Sequence, residues 1–245
     1  MKLSQARILI FDFETTGLDP ETDKIVEVAA MLVDFSGKAH GFVNTLCNPG
    51  IPIPPKASSI HHVTDEMVEG YRPFDFKLFT DIDFNVFSGH NIIGFDNKFL
   101  PKHDYPMLDT MLLAKKVWPE LESYSNQFIR YFKKTYLKDD VGRAAHDAWS
   151  DVVVTSTILL ELFSGIKSTG ITEVDNVMDM ELEELIAWTL QPNLLKTCRF
   201  GNKHYGIPWS EVPQDYLQWM KSKCTLDADT ELTVDHYLKQ GKLFA

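Results

Sequence analysis

Two carboxylates one residue apart follow an apolar run near the start of the sequence. Asp12 and Glu14 stand in the segment from Arg7 to Leu18, which predicts a buried strand followed by a turn. Because successive strand side chains alternate faces, Asp12 and Glu14 would share one face and Phe13 would lie on the other. A buried pair of like charges suits oxygen-preferring Mg²⁺ or Mn²⁺ better than zinc. The alternative is an exposed strand end with two solvated acids.

A further acid follows an apolar stretch in the middle of the sequence. The segment from Ser88 to Leu100 passes through a polar turn to Asp96, which would open a helix. Aspartate is also a preferred N-cap residue. Asp96 taken alone therefore fits either a metal ligand or an ordinary helix cap.

A histidine and another acid occur in a strongly helical segment between Ala144 and Leu160. On one continuous helix, at ~100° per residue, His146 and Asp151 would point ~140° apart. We therefore expect His146 in the loop before the helix, as a general base that can move, and Asp151 on the helix as a metal ligand. The alternative is a capping or surface histidine, with Asp147 as a helix-terminal charge.

Together, and in this order, the three segments resemble the motifs of the DEDDh 3′–5′ exonucleases, a family that includes the proofreading subunits of bacterial polymerases. The matches are Asp12 and Glu14 in DFETTGL, Asp96 in HNIIGFD, and His146 with Asp151 in HDAWSD. A histidine five residues before the last acid is typical of the histidine branch. Similarity to bacterial exodeoxyribonucleases of this family continues in short runs that start at Ile60, Leu112, Tyr124, Arg199, Tyr216 and Leu232.

The resemblance implies a phosphodiesterase with two Mg²⁺ or Mn²⁺ ions and five catalytic residues. In the family pattern Asp12 bridges both ions, and Glu14 and Asp151 complete the ion that carries the nucleophilic water. Asp96 helps to hold the other ion through bound water, and His146 deprotonates the attacking water. Activity should then rise from acidic toward mildly alkaline pH.

The resemblance also implies how the terminal 3′ nucleotide is held. Backbone groups of the turn from Thr15 to Leu18 would grip it, and Leu18 would pack on its base. Phe95 would pack beside the scissile nucleotide or fill the core, and His61 would contact substrate or be a solvated loop histidine. The predicted substrate-binding residues are Phe13, Thr15, Thr16, Gly17, Leu18, His61, Asn91 and Phe95.

Composition fits an enzyme better than a protein that holds nucleic acid by bulk charge. The 245 residues are 44% hydrophobic and carry a formal net charge of −11, whereas backbone binding normally needs a basic patch. No stretch approaches the ~20 apolar residues of a membrane span and no signal peptide is recognisable, so we expect a cytoplasmic protein without a membrane partner. Cys47, Cys198 and Cys224 lack metal spacing and read as reduced thiols.

Apolar strands separated by short links predict a mixed sheet flanked by helices, an α/β fold with the ribonuclease H-like architecture that the family implies. The expected strands are Arg7–Phe13, Ile25–Asp34, His40–Leu46 and Asn85–Ser88. The expected organisation is an exonuclease domain at 1–168, an acidic helical connector at 169–193 and a small C-terminal module at 194–245.

The C-terminal module is expected to contain a hairpin from Arg199 to Trp209 and a helix around Tyr216 to Lys221. Basic and aromatic residues interleave here, namely Arg199, Phe200, Lys203, His204, Tyr205 and Trp209. They would stack on single-stranded bases or form a small core. We favour the core for Phe200 and Trp219 and leave Lys203 and His204 open.

The sequence thus predicts a metal-dependent 3′–5′ exodeoxyribonuclease that releases nucleoside 5′-monophosphates. The expected partner is DNA with a 3′ end, single-stranded rather than duplex. One alternative is an exoribonuclease or RNA-trimming enzyme, because nothing in the sequence identifies a 2′-hydroxyl contact. The other is a catalytically silent subunit that binds a polymerase or DNA repair complex. The C-terminal module is the expected contact for such a partner.

Overall fold

The computed structural model describes residues 1–119, 121–138, 147–171 and 177–243. The chain forms two compact units, one made of Met1–Val117 and Ser123–Thr189 and the other of Trp118–Glu122 and Leu190–Ala245. Most of the expected connector, up to Thr189, thus belongs to the first unit. The functions predicted for the separate domains stay predictions.

A five-stranded mixed sheet forms the centre of the first unit. Its strands are β1 (Arg7–Thr15), β2 (Ile25–Asp34), β3 (Ala39–Leu46), β4 (Val86–Gly89) and β5 (Met107–Asp109). They are arranged in the order β3-β2-β1-β4-β5, with antiparallel pairing among the first three and parallel pairing among β1, β4 and β5. The predicted mixed sheet is confirmed, and β5 is an additional strand.

Helices cover the sheet and are mostly short. They are α1 (Pro55–His61), α2 (Asp65–Val68), α3 (Lys77–Thr80), α4 (Thr110–Val117), α5 (Asn126–Phe132), α6 (Ala148–Gly165) and α7 (Leu182–Leu190). Short 3₁₀ helices occur at Leu3–Gln5, Asp96–Phe99, Thr135–Leu137, Ile166–Thr169 and Val177–Asp179.

Aromatic side chains form the core behind β1. Phe11 and Phe13 alternate with the two acids of β1 and pack with Phe79, each at a ring-centroid distance of 6.0 Å or less. Phe87 of β4 contacts Phe11 edge-on at 5.1 Å. This packing leaves Asp12 and Glu14 on the opposite face of the sheet.

Helix α6 packs against β1 and β2. Together with the 3₁₀ turn that follows, it forms a 22-residue stretch, Ala148–Thr169, whose length and composition alone would allow it to cross a membrane. Half of that stretch is buried inside the protein. Its contacts with the sheet are those of a core helix, and it also carries Asp151.

The second unit has its own small core. It contains a 3₁₀ turn at Trp209–Glu211 and two helices, α8 (Gln214–Lys223) and α9 (Ala228–Leu243). The hairpin expected from Arg199 to Trp209 is replaced by a series of turns that a single isolated antiparallel bridge, between Thr197 and Pro208, closes. The core consists of Cys198, Trp209, Val212, Leu217, Met220 and Val234.

Two aromatic residues of this unit differ in their burial. Phe200 packs against the core, as predicted. Trp219 was expected to do the same but keeps 46% of its surface exposed, because α8 turns Leu217 and Met220 inward instead.

Candidate active site

The acids of β1 meet the acid of α6. Asp12 and Glu14 share one face of β1, and Asp151 lies in the first turn of α6. One carboxylate oxygen from each of these three residues lies within 4.8 Å of the other two. Residues that are distant in the sequence therefore form one cluster.

Asp96, the fourth predicted ligand, lies beside this cluster. It opens a 3₁₀ helix and is only 3% exposed. The backbone N–H of Phe13 donates a hydrogen bond to Asp96 Oδ1 at 3.0 Å, which ties this acid to the residue between Asp12 and Glu14. Among neighbouring charges, Asp96 has the largest effect on the pKa of Asp12. The structure thus brings all four predicted carboxylates together.

Burial and mutual repulsion raise the pKa values of these acids. Burial, followed by the charge of Asp96, raises the pKa of Asp12 well above its ordinary value. Burial and then Asp151 raise the pKa of Glu14 to about 8. Burial raises the pKa of Asp96 to about 7, although the hydrogen bond from Phe13 opposes the change. The dominant charges felt by Asp12 are those of other carboxylates, so bound cations would relieve the repulsion.

The donor set fits the predicted metals. Carboxylate oxygens at this density are the hard ligands that Mg²⁺ and Mn²⁺ prefer. Asp12, Glu14 and Asp151 are positioned to offer one such oxygen each. The residues present are therefore compatible with divalent cations.

The predicted general base, His146, lies outside the described residues. Helix α6 begins at Ala148, and Asp147 is its N-cap, whose carboxylate accepts a hydrogen bond from the backbone N–H of Ser150 at 3.3 Å. Asp147 therefore has the helix-terminal role that the sequence suggested. The assignment of His146 stays a prediction.

Two amides at the start of α5 hold Asp151. Asn126 Nδ2 and Gln127 Nε2 each donate a hydrogen bond to Asp151 Oδ1 at 3.3 Å. Asn126 also donates to the Thr155 hydroxyl one turn along α6, at 3.2 Å. These contacts fix the rotamer of the carboxylate. Sequence reasoning missed both amides, because nothing local in the sequence pairs them with a residue 24 or 25 positions later.

Glu27 is a further acid beside the cluster that sequence reasoning missed. It lies directly opposite Glu14 in the β1–β2 pairing and is 9% exposed. The backbone N–H of Ala148, at the start of α6, donates to Glu27 Oε2 at 3.5 Å. Burial, followed by the charge of Asp147, raises the pKa of Glu27 to about 7. Glu27 thus connects β2 with the helix that carries Asp151.

The turn after β1 is rigid, and its tip is exposed. The Thr16 hydroxyl donates to Asp23 Oδ1 at 2.9 Å, and the backbone N–H of Asp19 donates to Asp23 Oδ2 at 2.9 Å. A Cβ at Gly17 would lie 2.4 Å from the Asp23 carboxylate, so only glycine fits there without a shift. Leu18 stands at the tip with 82% of its surface exposed, which is compatible with packing on a nucleotide base.

Asn91 and the loop toward Asp96 are held by Asp109, another residue that sequence reasoning missed. Asp109 is 1% exposed, and its Oδ1 accepts hydrogen bonds from the backbone N–H groups of Asn91, Met111 and Leu112 at 2.9 to 3.2 Å. Its Oδ2 accepts another from Ile93 at 3.1 Å. Asn91 adopts a left-handed conformation with φ of 65°. Asp109 therefore sets the path of the backbone that delivers Asp96.

The remaining predicted substrate contacts lie in different environments. Phe13 is wrong as a side-chain contact, because its ring is 3% exposed and belongs to the aromatic core. Phe95 is half-buried and packs edge-on against Phe99 at 5.2 Å. His61 is not a solvated loop residue: it ends α1, is 6% exposed, and accepts a hydrogen bond from Val63 N–H at 3.0 Å. Burial lowers the pKa of His61, and the adjacent Thr15 backbone opposes that shift.

Comparison with known proteins identifies the first unit. The model of the RNase T family, described as exonuclease, matches residues 9–159. Exodeoxyribonuclease 10 of Escherichia coli (strain K12) is 28% identical over 234 residues, which cover 94% of this chain and 98% of that protein. The 3′-5′ exonuclease DinG of Bacillus subtilis (strain 168) is 29% identical over 177 residues, which cover 67% of this chain and 18% of that protein.

Solved structures agree with this result. Exonuclease X in complex with 5′ overhanging duplex DNA is 27% identical, has a TM-score of 0.60, and matches over 74% of this chain and 99% of that chain. Escherichia coli exonuclease I with a dT13 oligonucleotide is 18% identical with a TM-score of 0.53, covers 67% of this chain and 42% of that chain, and shows the fold alone. The predicted ribonuclease H-like fold and 3′–5′ exonuclease activity are confirmed. The chain therefore belongs to the RNase T family of exonucleases.

Proposed function

We propose that this exonuclease is a metal-dependent 3′–5′ exodeoxyribonuclease that releases nucleoside 5′-monophosphates. The observation that carries the proposal is the approach of Asp12, Glu14 and Asp151 to within 4.8 Å beside the buried Asp96. These four residues would hold two Mg²⁺ or Mn²⁺ ions. When bound, such ions lower the pKa of a coordinated water and neutralise charge that develops on the phosphate oxygens.

The protein groups around the acids have separate tasks. Asn126 and Gln127 orient Asp151, and the Phe13 N–H orients Asp96. His146 takes the proton from the attacking water as general base.

The turn after β1 positions the substrate. Its backbone groups hold the terminal nucleotide, and Leu18 covers the base. The internal hydrogen bonds of Asp23 keep this turn in one conformation before substrate arrives, which lowers the entropic cost of binding.

Similarity to an exodeoxyribonuclease over 94% of the chain supports DNA as the substrate. Oligonucleotides of DNA and RNA with the same sequence, labelled at the 5′ end and incubated with Mg²⁺, test the choice directly. We expect stepwise shortening of DNA from the 3′ end, 5′-monophosphate products, and no cleavage with EDTA. Faster shortening of RNA would favour the exoribonuclease alternative instead.

The role of His146 is tested by His146→Ala beside His40→Ala, since His40 is a half-exposed histidine that pairs with Asp34 on the sheet edge. We expect a loss of about 100-fold or more in rate for His146→Ala and parent activity for His40→Ala. Parent activity in both variants would exclude His146 as the base.

A cytoplasmic location, consistent with three free cysteines, and a polymerase or repair-complex partner also stay predictions.

A further inference from the structure

Three aromatic rings contact one another in series on the second unit, and the last of them, Trp219, is exposed. Tyr216 and Trp219 are three residues apart on α8, so they share a helix face, and their ring centroids lie 5.1 Å apart with the planes tilted by 30°. His204, from the turn region before α8, meets Tyr216 edge-on at 4.5 Å. We refer to His204, Tyr216 and Trp219 as the aromatic ladder.

Trp219 is not part of the core of this unit. The buried core is formed by other residues, including Trp209, which is 1% exposed, and Tyr216 packs against it with one side of the ladder. Trp219 keeps 46% of its surface exposed at the end of the ladder, whereas a tryptophan in a small core would normally be covered. An exposed tryptophan in contact with a second ring offers a flat apolar face with a polar edge, which is typical of recognition surfaces.

Basic residues outnumber acidic ones in the segment that carries the ladder, whereas α9 and the turn before it are acidic. Residues 196–223 contain five basic and two acidic residues, although the whole chain has a net charge of −11. The basic residues are Lys196, Arg199, Lys203, Lys221 and Lys223. Lys203 places its Nζ 5.8 Å from the centre of the Tyr216 ring, so one of these charges lies at the ladder itself.

Two of the other basic residues, Arg199 and Lys221, are engaged in structural contacts. Arg199 donates hydrogen bonds to the backbone carbonyls of Leu121 and Glu122, and Lys221 pairs with Asp235 on α9. The surface that joins a cation to accessible rings is therefore centred on Lys203 and Trp219.

We propose that the aromatic ladder and Lys203 bind single-stranded nucleic acid as an accessory site of the exonuclease. Stacking of bases on Trp219 and Tyr216 would supply the apolar contact, and Lys203 would neutralise a phosphate. Single-stranded nucleic acid matches both the Lys203 charge and the exposed ring face, because it carries phosphates and accessible flat bases. An acidic protein would pair with Lys203 but would offer no flat group to stack on the rings. The proposal depends on the proposed function only in taking nucleic acid as the ligand.

Binding is tested in EDTA with the full chain carrying Asp12→Asn, which removes a proposed metal ligand, and with a fluorescent dT20 oligonucleotide followed by anisotropy. In this background Trp219→Ala should weaken binding roughly 5- to 100-fold, and Trp219→Phe should restore most of it, because stacking needs a ring. Tyr71→Ala is the matched control, since Tyr71 lies outside the second unit and is 46% exposed, like Trp219. It should bind like the Asp12→Asn parent.

Charge is tested in parallel. Lys203→Gln should reduce the slope of log K against log salt by about 0.7, the value for one phosphate contact on a single strand. Lys239→Gln removes the same charge from an exposed position of α9 and should leave the slope unchanged.

Any one of several results would overturn the proposal. They include unchanged binding by Trp219→Ala, equal weakening by Trp219→Ala and Tyr71→Ala, and equal slope changes for the two lysine variants. Loss of binding in Trp219→Phe as well, with an altered melting curve, would assign Trp219 to folding and also overturn it. If Trp219→Ala abolished binding of a protein but left the affinity for dT20 unchanged, the surface would be a protein-binding site and the proposal would be wrong.

The active site is examined separately with a small chromogenic ester of thymidine 5′-monophosphate and wild-type catalytic residues. Trp219→Ala should hydrolyse this ester at the parent rate while its KM for long single-stranded DNA rises. Failure of the parent to hydrolyse either substrate would contradict the proposed function and leave the anisotropy result valid.

Discussion

Replacing Glu14 by Gln should stabilise the metal-free protein at alkaline pH. The pKa of Glu14 is about 8 in the folded chain against an ordinary value of 4.5. Because the pKa of Glu14 is higher in the folded than in the unfolded chain, ionisation of this side chain disfavours folding. The free energy of unfolding is therefore unaffected by Glu14 below pH ~4.5, and it falls as the pH rises through about 8. Glutamine keeps the shape of the side chain and carries no charge at any pH.

The size of the effect follows from the pKa difference. At 1.36 kcal/mol per pKa unit, a change from 4.5 to about 8 sets an upper limit of about 5 kcal/mol in the free energy of unfolding. Glu14 is only partly buried, so water screens its charge, and we expect about 2 to 3 kcal/mol at pH 8.5. For a chain of this size that corresponds to a rise of roughly 4 to 12 °C in Tm.

The assay is thermal unfolding in EDTA at pH 5 and pH 8.5. Glu14→Gln should melt higher than the parent at pH 8.5 and nearly equal to it at pH 5. Glu21→Gln is the same chemical change at an exposed position and should match the parent at both pH values. Excess Mg²⁺ should then raise the Tm of the parent more than that of Glu14→Gln. A lower Tm for Glu14→Gln at pH 8.5, or the same difference at both pH values, would refute this account of the site.

Three further outcomes are expected. Asn126→Ala should raise the Mg²⁺ concentration needed for half-maximal hydrolysis by about 10- to 100-fold, because Asp151 loses a hydrogen-bond donor that orients it. Metal titration measures this concentration, and an unchanged value would contradict the prediction. Asp109→Asn should lower the free energy of unfolding, measured in urea, by about 1 to 3 kcal/mol. Asparagine has one side-chain oxygen, so it cannot accept the hydrogen bond from Ile93 N–H together with the other three. Parent stability would show that the network is dispensable. Leu18→Ala should raise the KM for DNA by about 5- to 30-fold with little change in kcat, since an exposed apolar contact of ~1 to 2 kcal/mol is removed; a fall in kcat alone would place Leu18 in another role.

The sequence predicted those parts of the site that depend on local periodicity. Alternation along β1 placed Asp12 and Glu14 on one face, and helical spacing assigned Asp151 to α6. Strand β5 escaped detection because three residues, Met107–Asp109, are too short to show a period.

The residues that support the acids could not be predicted in this way. The contact between Glu27 and Ala148 joins positions 121 residues apart, and a single sequence contains no signal for such a pair. Phe13 was assigned to substrate by family resemblance, although alternation had already placed its side chain on the face opposite Asp12 and Glu14. Trp219 was misassigned because composition does not reveal which face of α8 turns inward.

The second unit is assembled from two stretches that are synthesised at different times. Trp118–Glu122 belongs to it, and the guanidinium of Arg199, 78 positions later, donates to the carbonyl of Leu121. During synthesis, Trp118–Glu122 therefore remains unpacked until the segment that begins at Leu190 has left the ribosome. A protein truncated after Thr189 would retain every proposed metal ligand, but Trp118–Glu122 would lack the residues that it packs against. Such a truncation is therefore a poor route to a minimal nuclease.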